Sequence, residues 1–250
     1  MSLFFRLLLG HIVGDFALQT IQLVRYKGHS WKGLLLHSGI VTLSTGAFLW
    51  DIPWAWPWLI PLFASHLATD WGKVTLSRRF PERRLSFFLL DQFMHVAAIV
   101  GIVCLADRSC PYPDLAATIG AGEANLYLLF VLAFLFVFFV VPLLEVQIAY
   151  KLARRMANGP IAGDSLAASL QDRLWGGGER TIVLALIYVW LVLGWPTVWF
   201  APLAFIPRII ALRPAWTQPN RAHLYRFKIA TSIGCSILVG TLLWLTVPLI

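Results

Sequence analysis

Apolar stretches of near membrane-crossing length recur along the whole chain, and no other feature limits its fold so strongly. A helix needs about 20 predominantly apolar residues to cross the hydrocarbon core of a bilayer. Eight segments approach that length, at 3–24, 33–50, 54–72, 86–105, 124–146, 181–194, 197–212 and 228–249. The expectation is an all-α, polytopic transmembrane helical bundle of about eight spans. The sixth and seventh segments are short and flank Gly194-Trp195-Pro196, so 181–212 reads as two spans or as one broken element. The first segment does not read as a cleavable signal: Arg6 is followed by His11, Asp15 and Gln19 within the apolar stretch, and no small-residue cleavage site follows.

Composition agrees. Of 250 residues, 59% are hydrophobic and 13% charged, against about 25% charged in soluble domains. Ordinary soluble and disordered classes are excluded. The net charge of +8 suits anionic headgroups and cytoplasmic loops. No basic run interleaved with aromatics supports nucleic-acid binding. Three cysteines, Cys104, Cys110 and Cys235, are too few for a disulfide scaffold. Cys104 and Cys110 flank one helix end, where a disulfide stays an open alternative.

Basic residues alternate between connections. Arg25, Lys27 and Lys32 lie in the first; Lys73, Arg78, Arg79, Arg83 and Arg84 in the third; Lys151, Arg154, Arg155, Arg173 and Arg180 in the fifth; Arg208, Arg213, Arg221, Arg226 and Lys228 in the seventh. By the positive-inside rule these face the cytoplasm and both termini are non-cytoplasmic. The chain reads as two halves. Residues 1–105 form a four-helix half that carries the intramembrane polar groups. Residues 106–250 form an apolar half with a cytoplasmic loop at 151–180. In that loop Asp164-Ser165 can cap an amphipathic helix bearing Leu166, Leu170 and Leu174, ended by Gly176-Gly177-Gly178.

Ionisable residues at membrane depth are costly and mark functional sites. His11 and Asp15 form a His-x-x-x-Asp pair, His66 and Asp70 form the same pair, and Asp91 and His95 form the reverse; His37 stands apart. Residues four apart share a helix face. The pair order reverses where the helix direction reverses, so all three helices offer a histidine layer outside an aspartate layer. One such pair is also explained by helix packing or by a proton pathway. Three pairs at matching depth, with His37, point to a shared divalent-metal site, with zinc first and iron or manganese next. His11, His37, His66, His95, Asp15, Asp70 and Asp91 are the candidate ligands. The three aspartates double as candidate catalytic groups, and Gln19, Ser38 and Gln92 as supporting partners. Lys73 and the run from Arg78 and Arg79 to Arg84 suit an anionic headgroup, with Lys73 equally readable as a snorkelling anchor. Glu145 and Gln147 read as interfacial anchors, Glu179-Arg180 as a helix-start ion pair, and His29 and His223 as solvated loop residues.

The blocks His11-Ile12-Val13-Gly14-Asp15-Phe16-Ala17-Leu18-Gln19, then Lys27 and His37, His66 to Lys73 and Asp91 to His95 resemble an uncharacterised bacterial integral-membrane family of unknown function, with its HxxGDFxLQ, HxxxDxxK and DQxxH patterns, and Gly178-Glu179-Arg180 with the following apolar helix resembles its C-terminal half. The resemblance implies a multi-pass protein of the bacterial inner (plasma) membrane. A looser similarity is to membrane-bound metal-dependent hydrolases. No HExxH block is present, so zincin proteases are not resembled. The expected function is a membrane-embedded metal-dependent hydrolase acting on a lipid or lipid-linked substrate from the cytoplasmic side. The alternatives are a transporter of protons or metal ions through the same cluster and a structural membrane subunit.

Overall fold

The computed structural model describes residues 3–106, 123–145, 148, 170–207, 209–210 and 219–246, and these are helical apart from short turns. The chain divides into two units, Met1–Asn125 and Leu126–Ile250.

In the first unit α1 (Leu3–Ile12) widens into a π-helical turn (Val13–Ala17). The chain then breaks and resumes as α2 (Ile21–His29), bent by 90° from α1. The break has a local cause: Thr20 adopts extended backbone and its Oγ1 accepts from Leu23 N at 3.2 Å, starting a new helix. The expected span 3–24 is therefore two helices. Ser30 caps α3 (Trp31–Ala47) in the same way. A 3-10 turn (Pro53–Trp58) leads into α4 (Leu59–Arg79), and a second (Pro81–Arg83) leads into α5 (Arg84–Ala106).

Helices α1, α3, α4 and α5 close a ring: α1 packs on α3, α3 on α4, α4 on α5 and α5 on α1, while α2 lies against α3. The approach of α1 to α3 depends on two glycines one turn apart. A Cβ on Gly10 would lie 2.4 Å from Thr45 Cα, and one on Gly14 2.6 Å from Val41 Cα. This is the small-xxx-small contact that lets helix backbones touch. Inside the ring Leu7, Leu62 and Ile99 belong to one buried apolar cluster. Each lies four residues from a histidine (His11, His66, His95), which in turn lies four from an aspartate. At 1.5 Å rise per residue, the ring interior changes from apolar to imidazole to carboxylate in steps of about 6 Å.

The outside of the unit is apolar as well. Leu43, Ile60 and Phe93 are 77%, 74% and 64% exposed. Among the described helices, one stretch, Pro81–Ala106 with 26 residues, is long and apolar enough to cross a membrane, and the bent pair α1–α2 is a second if it counts as one span. The expectation of about eight spans is not reached. The reason is partly the site itself: α4 has the length but holds His66, Asp70 and Lys73 in its middle, and α3 has 17 residues.

In the second unit α6 (Glu123–Leu135) runs through another π-helical turn (Phe136–Val140) to Glu145. Then come α7 (Leu170–Leu193), a 3-10 helix (Thr197–Phe205) and α8 (Pro219–Thr246). Phe130, Val137, Val141, Val183, Leu184, Ile187, Phe205 and Leu243 form its core. Two expectations change here. Gly176-Gly177-Gly178 do not end a helix; α7 continues through them, and Gly177 lets α7 close on Phe138, whose ring carbon would lie 2.9 Å from an added Cβ. The stretch 181–212 is not two spans: α7 ends at Leu193, Gly194 takes φ +70, and the following 3-10 helix packs back on α7, with Thr197 Oγ1 donating to Leu186 O at 2.7 Å. The expected amphipathic helix and the Cys104–Cys110 pair fall largely on 151–169 and on 110, outside the described residues.

The second unit is also not bare of buried polar groups. Arg180 has no exposed surface, and its Nη1 donates to Glu145 Oε1 at 2.6 Å and Ser232 Oγ at 2.7 Å, while Nε donates to Val137 O at 2.9 Å. Thr231 and Ser232 hydroxyls also donate to Glu145 Oε1, at 3.1 and 3.2 Å. Glu145 and Arg180 are thus partners in the core rather than an interfacial anchor and a helix-start ion pair.

Candidate functional site

The ring of the first unit holds all seven expected ligands, each at most 3% exposed. They fall into two adjoining groups. In the first, His66 stacks on His95 with ring centroids 4.3 Å apart, and His11 sits 4.9 Å from His95 and 5.2 Å from His66. Three helices, α1, α4 and α5, each contribute one imidazole.

The second group is a hydrogen-bonded chain one turn away. His37 Nε2 lies 3.0 Å from Asp15 Oδ1 and 3.1 Å from Asp70 Oδ2. Lys27 Nζ donates to Asp70 Oδ2 at 3.0 Å. Lys73 Nζ donates to Asp70 Oδ1 at 3.0 Å and to Asp91 Oδ2 at 2.6 Å. Gln92 Nε2 donates to the same Asp91 oxygen at 2.9 Å. The Gln19 amide fits with its oxygen toward Lys27 Nζ (2.6 Å) and His37 Nδ1 (3.2 Å) and its nitrogen donating to Asp15 O (3.1 Å). Both nitrogens of His37 therefore face oxygen acceptors. Asp15 reaches this chain from the π-helical turn, an irregularity that recurs at functional sites.

Lys27 is the group that sequence reasoning places elsewhere, among the basic loop residues. The 90° break before α2 folds the chain back and returns Lys27 to the ring, where it is 6% exposed. Its place in the run of residues that carries the family resemblance was one signal, and the Thr20 cap and the polar composition of 21–29 were others. The residues expected to hold a headgroup separate. Lys73 turns into the cluster, its side chain 19% exposed; Arg78 donates to Gly28 O, and Arg79 lies over the Phe80 ring at 5.7 Å. Ser38 is buried on α3, and its Oγ has no hydrogen-bond partner.

The two groups differ in satisfaction. Among the described residues, both nitrogens of His11, Nδ1 of His66, Nε2 of His95 and Oδ1 of Asp91 are buried without a hydrogen-bond partner, while His66 Nε2 lies 3.2 Å from His37 Nε2. Such atoms are rare in folded proteins and each costs about 1–3 kcal/mol. Here they converge, and His11, His66 and His95 offer ligand nitrogens that all lie within 4.8 Å of one another. Imidazoles with a neighbouring carboxylate are a donor set for zinc and for other divalent first-row metals. The residues present thus fit a metal ion. Two further groups have the same spacing, Asp15–His37–His66 and Asp70–Asp91–His95. The first already has its polar atoms engaged by hydrogen bonds through His37, and the second has Lys73 between its carboxylates.

Residues 3–111 match the model of a family described as a protein of unknown function, DUF3307. The match covers the helices that build the ring, and it agrees with the expected likeness to an uncharacterised family. Neither the curated proteins nor the solved structures contain a match to the chain.

Proposed function

We propose that this chain is a multi-pass protein of the bacterial inner membrane, with cytoplasm-facing basic connections, that holds one divalent metal ion and uses it to hydrolyse a lipid or lipid-linked substrate. One observation carries the reading: three buried imidazoles from three helices converge, and each keeps at least one ring nitrogen without a hydrogen-bond partner among the described residues.

His11, His66 and His95 are the ligands, and zinc is the leading candidate among zinc, iron and manganese. These residues would hold the ion, whose chemistry when bound would be to acidify a water and polarise the scissile group. The protein's own groups do the rest. Asp91 turns one oxygen to Lys73 and Gln92 and leaves Oδ1 without a donor, 3.4 Å from His95 Nε2. That oxygen is the one able to take a proton from a nucleophilic water. Asp70, held by Lys27, Lys73 and His37, fixes α2, α3 and α4 around the ligands, and Asp15 and Gln19 orient His37. The partly exposed Lys73 and the basic end of α4 suit an anionic, phosphate-bearing headgroup.

Proton or metal-ion transport is the second reading. The continuous chain Asp15–His37–Asp70–Lys73–Asp91, which passes from α1 to α5, favours it.

The full chain, purified in detergent without chelators, tests the choice by elemental analysis together with hydrolysis of phosphoester lipids in nanodiscs. One ion per chain, lost with hydrolysis in His66→Ala, supports the hydrolase. A wild type without metal ends that reading. A metal-loaded wild type that hydrolyses no lipid but conducts protons in liposomes replaces it with transport.

A further inference from the structure

We propose that Lys73 is a tethered cation standing in a second divalent-metal position formed by the carboxylates of Asp70 and Asp91 beside His95, and that it thereby limits the centre to one ion. The proposal deepens the metal-centre reading above by assigning the ion count of the same ring to one side chain.

Asp70, Asp91 and His95 offer ligand atoms within 4.8 Å of one another, as the histidine triad does. All three side chains are buried. Among the described residues Asp91 Oδ1 has no hydrogen-bond partner; His95 Nε2 has none either, but it belongs to the triad, so the carboxylates carry the second position. What distinguishes this position from the triad is Lys73, whose ammonium bridges Asp70 Oδ1 at 3.0 Å and Asp91 Oδ2 at 2.6 Å. Carboxylates from two helices held by one shared cation are the arrangement a bridging metal ion also makes. An ammonium supplies that charge from within the chain.

Charge balance points the same way. Three buried carboxylates, Asp15, Asp70 and Asp91, face two ammoniums, Lys27 and Lys73. One divalent ion at the triad leaves the enclosed set close to neutral. A second, with Lys73 still in place, adds two positive charges to an interior of low dielectric, where uncompensated charge is costly. Without Lys73 the balance moves toward accepting the second ion. Lys27 cannot play this part, because it contacts Asp70 on the other oxygen, away from Asp91.

The experiment counts ions. Wild type, Lys73→Met, Lys73→Gln and Lys27→Met, each as the full chain in nanodiscs, are loaded with Mn2+, desalted and assayed for manganese per chain. Electron paramagnetic resonance then reads whether two ions are close enough to couple. Both Lys73 variants should hold one ion more than wild type and show a coupled-pair spectrum, and Lys27→Met should keep the wild-type count. Asp91→Asn in the Lys73→Gln background should remove the added ion and leave the triad ion in place. If wild type holds none and Lys73→Gln holds one, the triad reading fails and the Lys73 proposal stands. Equal counts in wild type and both Lys73 variants overturn it. Lys73→Gln keeps a polar group of similar length, so the count remains readable if Lys73→Met does not fold.

Discussion

Arg180 in the second unit and His66 in the first are both enclosed polar side chains in mid-helix, 0% and 1% exposed. Their surroundings differ. Arg180 reaches a carboxylate, a hydroxyl and a backbone carbonyl, and the Glu145 oxygen it meets also accepts from Thr231 and Ser232. His66 touches three other imidazoles; its Nε2 lies 3.2 Å from His37 Nε2, and its Nδ1 has no hydrogen-bond partner among the described residues. Burial alone therefore does not mark a functional site. The chemistry of the partners does: Arg180 is tied to a carboxylate, a hydroxyl and a carbonyl, whereas the imidazoles that meet at His66 leave both nitrogens of His11, Nδ1 of His66 and Nε2 of His95 without a hydrogen-bond partner among the described residues.

The largest expected effect tests the Arg180–Glu145 cluster. Arg180→Met leaves Glu145 buried without its cation, and breaking a buried pair from one side costs about 3–5 kcal/mol. The double variant Arg180→Met/Glu145→Leu should recover most of that loss, because two apolar groups replace both charges. Denaturant unfolding of the four members of the cycle in one detergent measures both quantities. Metal content per folded chain should stay at the wild-type value throughout. If Arg180→Met removes the metal without loss of stability, the second-unit cluster is not merely structural and the contrast collapses.

Next in size is the contact that brings α1 to the ring. Gly14→Val places side-chain atoms where Val41 Cα already lies 2.6 Å from the Cβ position. Overpacking of this kind costs about 1–3 kcal/mol. Unlike Arg180→Met, it should lower metal affinity in proportion, because His11 and Asp15 flank Gly14 on the displaced helix. Isothermal titration with Zn2+ beside an unfolding curve separates the two losses. Unchanged affinity in a destabilised Gly14→Val would mean that His11 is not a ligand.

How far such contacts were readable from sequence varied with their range. The layering of His over Asp was readable because it rests on spacing within single helices, and the reversed order in Asp91–His95 already tied α5 to α1 and α4. The return of Lys27 was not readable, since it depends on a sharp break that a polar Thr20 causes inside an otherwise apolar stretch. The pairing of Glu145 with Arg180 joins residues 35 apart on different helices, and nothing local in either segment announces it. Gly176-Gly177-Gly178 read as a stop from intrinsic preference, and packing against Phe138 overrides that preference. The eight-span expectation counted apolar length without subtracting the polar residues that the ring requires, and α4 falls short for that reason.

A smaller stability effect, of opposite sign to that of Arg180, is expected at His11. Neither of its nitrogens has a hydrogen-bond partner, so His11→Phe removes no bond and relieves two unsatisfied buried atoms. In metal-free protein the change should lie within about 1 kcal/mol of wild type, on the stabilising side if the larger ring fits. Zinc affinity should fall by at least about 100-fold, beyond the loss caused by removing a partner outside the ligand set. Unfolding of the apo protein and zinc titration give the two numbers. A metal-free His11→Phe destabilised like Arg180→Met would show that the imidazole has a structural partner and would remove it from the ligand set.

The smallest effect concerns an ion pair that lies in neither buried cluster. Arg6 at the start of α1 bonds Asp51 beyond α3 through both oxygens, Nη2 to Oδ2 at 3.0 Å, and also donates to Phe48 O at 3.2 Å. The Arg6 guanidinium holds the Asp51 carboxyl below its ordinary value. A carboxyl lowered in the folded state adds stability that is complete above its unfolded value, about 3.9, and is lost as pH falls through the folded one. Asp51→Asn should therefore melt slightly below wild type at pH 7, and the two curves should converge once the pH has fallen through the lowered folded value of Asp51. The shift at pH 7 should also shrink in high salt, since exposed pairs are screened, whereas that of Arg180→Met should persist. A salt-insensitive Asp51→Asn, or one whose deficit grows on acidification, would mean that Asp51 acts through packing, and solvent exposure would then not separate this pair from the buried clusters.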